Sequence, residues 1–140
     1  QNMGDYYAFP TLEQLKKIPL EFFKKIGCGY RSEYLFSTIK ALGETFNYEN
    51  VYNMPTADAE KYLCTLKGVG PKVANCILLF GYRKTDVFPT DTWIKKVYAE
   101  NFGGNLTDAN KIKQFFINMF GELSGFAQQY LFYSKREHNL

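Results

Sequence analysis

The run Leu66-Lys67-Gly68-Val69-Gly70-Pro71-Lys72-Val73-Ala74-Asn75-Cys76, followed by Asp91, constrains this chain more than any other stretch. It predicts a helix, a tight glycine hairpin, a second helix with a lysine in its first turn, and a carboxylate within folding reach of that lysine. Gly68 and Gly70 can adopt φ > 0, and without a Cβ they leave the amides around Val69 open to close approach. Pro71 sets φ for the first turn of the next helix, whose unpaired N–H groups and positive dipole end point the same way. The hairpin is therefore an anion grip. Its natural ligand is a nucleic-acid backbone phosphate, held without sequence information.

Lys72 and Asp91 add chemistry to that grip. A helix start and partial burial both disfavour an ammonium group, and a free amine can attack a sugar anomeric carbon to leave a Schiff base. Asp91 would balance positive charge developing on the sugar as its base departs. Blander readings compete residue by residue. Gly-x-Gly can be only a tight turn, Lys72 only solvated, and Asp91 only a helix cap with Lys95 as its ion-pair partner one turn along. Their order and spacing together favour the chemical reading.

At 140 residues, 46% hydrophobic and 18% aromatic, the chain can build one sizeable core and reads as one helical domain, residues 1–140. No apolar run approaches the roughly 20 residues of a membrane helix, and no signal-peptide pattern, repeat or linker appears. The net charge is +3. Between Glu60 and Tyr98 seven basic residues face three acidic ones, giving +4, which suits a nucleic-acid footprint as well as a solvated face. Cys28, Cys64 and Cys76 lack an even count and metal-ligand spacing, so a reducing, intracellular compartment is expected, with no metal site.

The fold expected is all-α. Thr11 with Gln14 forms a capping box for a short helix broken at Pro19. Helices are expected from Tyr30 to about Phe46, from Thr56 into the hairpin, from Pro71 to about Tyr82, and from Asp91 to about Phe102. Two more run from Thr107 through Phe120 and from Ser124 to near Arg136. Lys72 and Cys76 share one helix face, with Val73, Ile77 and Phe80 on an adjacent face suited to the core; Gln128 and Phe132 share a face of the last helix. Both pairs can line one cavity. A base flipped out of a duplex needs flat apolar walls and a side chain that both donates and accepts, which these residues provide.

Three stretches carry a family resemblance: Phe9-Pro10-Thr11-Leu12 through Gly27-Cys28-Gly29-Tyr30-Arg31-Ser32-Glu33-Tyr34; the hairpin with Phe88-Pro89-Thr90-Asp91; and Gly125-Phe126-Ala127-Gln128-Gln129-Tyr130-Leu131-Phe132. Spanning nearly the whole chain, they resemble the helix-hairpin-helix, Gly/Pro-Asp superfamily of DNA glycosylases. Gly-Tyr-Arg and Ala-Gln followed by Leu-Phe point to its 8-oxoguanine branch. The four closely spaced cysteines of the endonuclease III branch have no counterpart.

The resemblance implies a bifunctional glycosylase/AP lyase acting on double-stranded DNA with oxidised guanine. Lys72 and Asp91 would be catalytic; Cys76 and Phe132 would sandwich the flipped base and Gln128 would read its Watson–Crick edge. Tyr30 would wedge beside the extruded nucleotide, Arg31 would meet the orphaned cytosine, and Gly68, Val69, Gly70 and Trp93 would contact the backbone. It also implies a monomer needing no cofactor beyond at most a monovalent cation at the hairpin carbonyls. Such an enzyme acts in the cytoplasm or nucleoid of a bacterium, or in a eukaryotic nucleus. The match begins partway through the usual enzyme, so the chain reads as a C-terminal portion that would contact a preceding domain.

Three positions depart from the family pattern. Asn75 and Lys135 stand where acidic residues are common, and Trp93 where many members have a phosphate-contacting histidine. Two alternatives stay open: a related glycosylase for other damaged bases, and a non-catalytic hairpin module, which would need the glycines but neither Lys72 nor Asp91. His138 reads as an exposed residue.

Overall fold

Helix α5, Pro71–Tyr82, has the bounds its punctuation dictates. Gly70 is its N-cap and Pro71 occupies its first turn, while Arg83 in the left-handed region (φ 56°) ends it. The computed structural model describes residues 2–137; His138 lies outside them. Among the described residues the regular structure is helical, with only isolated bridges at Asn2–Tyr7 and Leu42–Phe46. The all-α expectation holds.

The chain's contacts divide it into two units, Gln1–Asn50 with Leu66–Gly68, and Val51–Thr65 with Val69–Leu140. The first contains α1 (Leu12–Lys16), α2 (Leu20–Lys25) and α3 (Arg31–Ala41). The capping box forms as expected, with the Gln14 amide donating to the Thr11 hydroxyl and the Thr11 amide to the Gln14 side chain. Pro19 N-caps α2, which the sequence reading missed because six residues show too little periodicity. Helix α3 ends at Ala41, short of the expected Phe46, because Leu42 is extended and Gly43 turns the chain at φ +78°. Phe23, Ile39, Phe46 and Leu66 are this unit's buried apolar side chains. At Gly68 φ is +83°, and an added Cβ would fall 2.3 Å from the Tyr34 ring, so only glycine fits.

The second unit contains α4 (Thr56–Leu63), α5, α6 (Thr92–Asn101), α7 (Ala109–Phe120) and α8 (Ser124–Glu137). Two starts differ from expectation by one residue. Pro55 is the N-cap of α4, freeing the Thr56 hydroxyl to donate to Asp86 at 2.8 Å; Asp108, not Thr107, caps α7 by accepting from the Lys111 amide. At α7 the aspartate is a better cap than the threonine before it.

The core joins Phe88, Ile94, Val97, Tyr98, Ile112 and Phe116, with Phe115, Leu131 and Phe132 packed at its edge. Phe88 stacks on Phe116 at 4.5 Å between ring centroids. Full burial of side chains this size contributes about 1.5–3 kcal/mol each. Lys113 also reaches both carboxylate oxygens of Glu60, at 2.8 and 2.9 Å, tying α7 to α4 in a mostly buried pair. Gly125 lets α8 start against α5: its amide donates to the Thr85 carbonyl at 2.7 Å, and an added Cβ would lie 2.4 Å from Leu79.

The inward face of α5 is Ala74, Asn75, Leu78 and Leu79. This corrects the expected core face of Val73, Ile77 and Phe80, since Val73 and Phe80 are exposed. An apolar side chain on a helix is free to face a cleft or solvent, and only the neighbours decide which.

Candidate active site

Three segments of the second unit bring Lys72, Cys76, Phe80, Pro89, Asp91, Gln128, Gln129 and Phe132 around one open cleft of about 150 Å³. Spacing explains the contribution of α5, because Lys72, Cys76 and Phe80 succeed one another at intervals of four. The same rule places Gln128 and Phe132 together on α8. The loop before α6 supplies Pro89 and Asp91. All five residues expected to do chemistry or hold the base thus line one cavity.

Each is held differently. Asp91 is the N-cap of α6, its carboxylate accepting from the Ile94 amide at 2.9 Å. The structural and chemical readings of this aspartate are therefore compatible: one oxygen fixes the helix start while the side chain borders the cleft. Gln128 is buried, at 3% exposure, and its amide oxygen accepts from the Gln129 side chain. Phe132 is half-buried on the edge of the core. Lys72, by contrast, is exposed. The partial burial expected from the sequence does not occur: Pro71, Lys72 and Val73 at the start of α5 are all exposed. Among the described residues Lys72 makes no ion pair.

Cys76 sits half-buried between these groups. Burial pushes its thiol up from the ordinary range, the nearby Lys72 charge opposes this, and Asp91 adds to it. The thiol is accordingly a neutral, apolar wall at pH 7, and a poor nucleophile.

At the hairpin only Gly68 takes φ > 0; Gly70 is extended, at φ −98° and ψ 177°, so its expected left-handed conformation is not used. Gly70 has no side chain to cap α5, and Pro71 has no N–H, so the first-turn amides of Lys72 and Val73 have no acceptor within the helix. Val69 is half-buried beside them.

Tyr30 and Arg31 lie in the first unit, at the start of α3. Tyr30 is 69% exposed, with the Arg31 guanidinium 4.5 Å from its ring centroid and the Tyr34 ring edge-on at 6.1 Å. Trp93 is half-buried under the Lys96 ammonium, 5.0 Å from its ring centroid. Lys95 does not pair with Asp91; it donates to the Thr107 carbonyl at 2.9 Å. Lys135 faces away from the cleft and pairs with Glu100, whose carboxyl is lowered chiefly by that hydrogen bond. Among the described residues no helix is long and apolar enough to cross a membrane.

Sequence reasoning missed Phe80, Pro89 and Gln129. Phe80 was within reach of the four-residue spacing from Cys76; the other two depend on how the Phe88–Asp91 loop and α8 meet.

No family model matches the chain. It is 35% identical over 138 residues to a probable N-glycosylase/DNA lyase of Methanothermobacter thermautotrophicus, a match covering 93% of this chain and 44% of that protein. It is 34% identical to the N-glycosylase/DNA lyase OGG1 of Arabidopsis thaliana over 91% of this chain and 38% of the relative. Its fold superposes with a TM-score of 0.91 on the Clostridium acetobutylicum 8-oxoguanine glycosylase/lyase, solved with double-stranded DNA containing cytosine opposite 8-oxoguanine. That match has 39% identity and covers 96% of this chain and 47% of the other. The chain thus spans less than half the length of the proteins it matches. In its fold and over nearly its whole length, the chain is thus similar to just under half of an 8-oxoguanine DNA glycosylase/lyase.

Proposed function

We propose that this chain carries the base pocket and the reacting groups of a bifunctional 8-oxoguanine DNA glycosylase/AP lyase. The observation that carries the proposal is the convergence of Lys72, Cys76, Asp91, Gln128 and Phe132 on one cleft. Hairpin amides and the α5 start hold backbone phosphates, Tyr30 and Arg31 fill the space the flipped nucleotide vacates, and Trp93 borders the backbone. The ligand is duplex DNA with an oxidised guanine, bound by a monomer in which a further domain completes the pocket.

In the cleft, the oxidised guanine lies against the thiol of Cys76 and the ring of Phe132, with Gln128 donating to and accepting from its edge. The Lys72 amine attacks C1′ as the glycosidic bond breaks, and the base leaves with its electron pair and takes up a proton. Asp91 offsets positive charge on the sugar during that step. The amine then loses a proton, the ring opens, and a protonated Schiff base links Lys72 to C1′. Loss of a C2′ proton breaks the C3′–O bond and expels the 3′ phosphate, and water releases the lysine. An exposed Lys72 suits this order, because the amine must meet a sugar arriving from solvent.

The test is borohydride trapping of the chain on duplexes carrying oxoguanine, an oxidised pyrimidine, an alkylated base or an abasic site. A covalent adduct on oxoguanine or abasic duplexes, lost in Lys72→Gln, supports the reading. Salt-sensitive DNA binding with no adduct on any duplex would leave a hairpin binding module in its place. Lyase action at abasic sites should exceed oxoguanine excision in this chain, because an abasic sugar needs no base pocket.

A further inference from the structure

We propose that Asn75 is a positioning residue that fixes the Asp91 loop against the start of α5, and so sets where Lys72 and Asp91 stand relative to one another. The inference rests on the functional reading of those two residues. Asn75 is 1% exposed, in the inward face of α5. Its amide nitrogen donates to the Pro71 carbonyl at 2.7 Å, the residue immediately before Lys72. Its amide oxygen accepts from the Phe88 amide at 3.3 Å, three residues before Asp91.

The loop beyond Phe88 is tied down in turn. The Thr90 hydroxyl donates to the Phe88 carbonyl at 3.1 Å, and the Asp91 carboxylate accepts from Ile94 at 2.9 Å. Phe88, Pro89 and Thr90 are all buried, so the segment has no water to satisfy its backbone. Asn75 is therefore the side chain through which the backbone beside Lys72 meets the backbone leading to Asp91. The job needs one donor and one acceptor on a short, uncharged side chain, which an amide provides and an ionised carboxylate of the same size does not.

Asn75→Asp keeps the size and the acceptor for Phe88 but loses the donor to Pro71; Asn75→Leu loses both. Trapping rates at saturating abasic DNA should fall on the order of 10–100-fold in both variants, as expected for small misplacements of reacting groups. DNA affinity should change less than about twofold, since the hairpin is untouched. In parallel, amide hydrogen exchange should quicken at Phe88 and Ile94 in Asn75→Leu, while Ile112 and Phe116 keep their protection. Parallel losses of affinity, trapping and protection throughout the core would reduce Asn75 to a packing residue and overturn the proposal, as would unchanged trapping in both variants. If the wild-type chain forms no adduct, the functional reading falls, and exchange at Phe88 and Ile94 alone decides whether Asn75 holds the loop.

Discussion

The cleft of the second unit and the start of α3 in the first unit are built on opposite plans. Around the cleft, Gln128 and the Phe88–Thr90 segment beside Asp91 are buried and hydrogen-bonded, and Asp91 caps a helix, so each group's position is inherited from the core. Tyr30 and Arg31 instead stand exposed at a helix start, in contact with one another and with Tyr34. Chemistry needs groups held to fractions of an ångström, whereas filling space in a deformable duplex does not. The first unit accordingly leaves its DNA-facing candidates exposed, and the second unit holds its own with buried polar bonds. Lys72, the proposed nucleophile, is the exception within the cleft, because it is exposed.

That contrast can be broken at four places. The largest effect is expected at Lys72: Lys72→Gln should abolish borohydride trapping while leaving DNA affinity nearly intact, and any wild-type level of adduct would assign the nucleophile elsewhere. Next is Asp91→Asn, which should slow base removal about 10²–10³-fold by removing a full charge, in the range found for groups that stabilise developing charge. Asparagine caps a helix about as well as aspartate. The melting temperature should therefore stay close to wild type, and a large drop would show that the change acts through α6 instead.

Smaller losses are expected from the pocket walls. Phe132→Ala should weaken binding to lesion DNA by roughly 1–3 kcal/mol of stacking, and Gln128→Ala should weaken it by removing paired contacts to the base. Competition binding with lesion and undamaged duplexes checks both, since equal losses on the two would point to damaged folding. The smallest effect on stability should come from Tyr30→Ala and Arg31→Ala, because an exposed cation–π contact is worth about 0.5–1 kcal/mol. Thermal denaturation should barely register them, while duplex binding declines. A destabilisation well above that range would place the start of α3 among the structurally held regions and erase the contrast.

How far the sequence could be read follows the range of the forces involved. The start of α5 was legible to the residue because proline there acts locally, and its end fell at about the expected Tyr82. The capping box at Thr11 and the cap at Asp91 were legible for the same reason, with both partners within three residues. The four-residue spacing of Lys72 with Cys76, and of Gln128 with Phe132, placed each pair on a face without knowledge of any other element.

What those faces meet was decided elsewhere. Val73 and Phe80 are as apolar as Leu78 and Leu79, yet the first two are exposed and the others packed, because α4 lies along one side of α5 and Gly125 at the start of α8 meets Leu79. Lys72 carries a sequence that reads as partly buried, yet it is exposed together with Pro71 and Val73 at the start of α5. Asn75 gave no sign, in its own surroundings, of bonding to Phe88, thirteen residues away. Dihedral preferences, caps and helical spacing act within a turn or two, so the sequence by itself determined most of the elements, some of their ends and the face each chemical side chain shares. Burial and long-range hydrogen bonding exist only once distant segments meet. The tertiary structure alone therefore decided which apolar face became core, which became the wall of the cleft, and which buried amide holds the loop before Asp91.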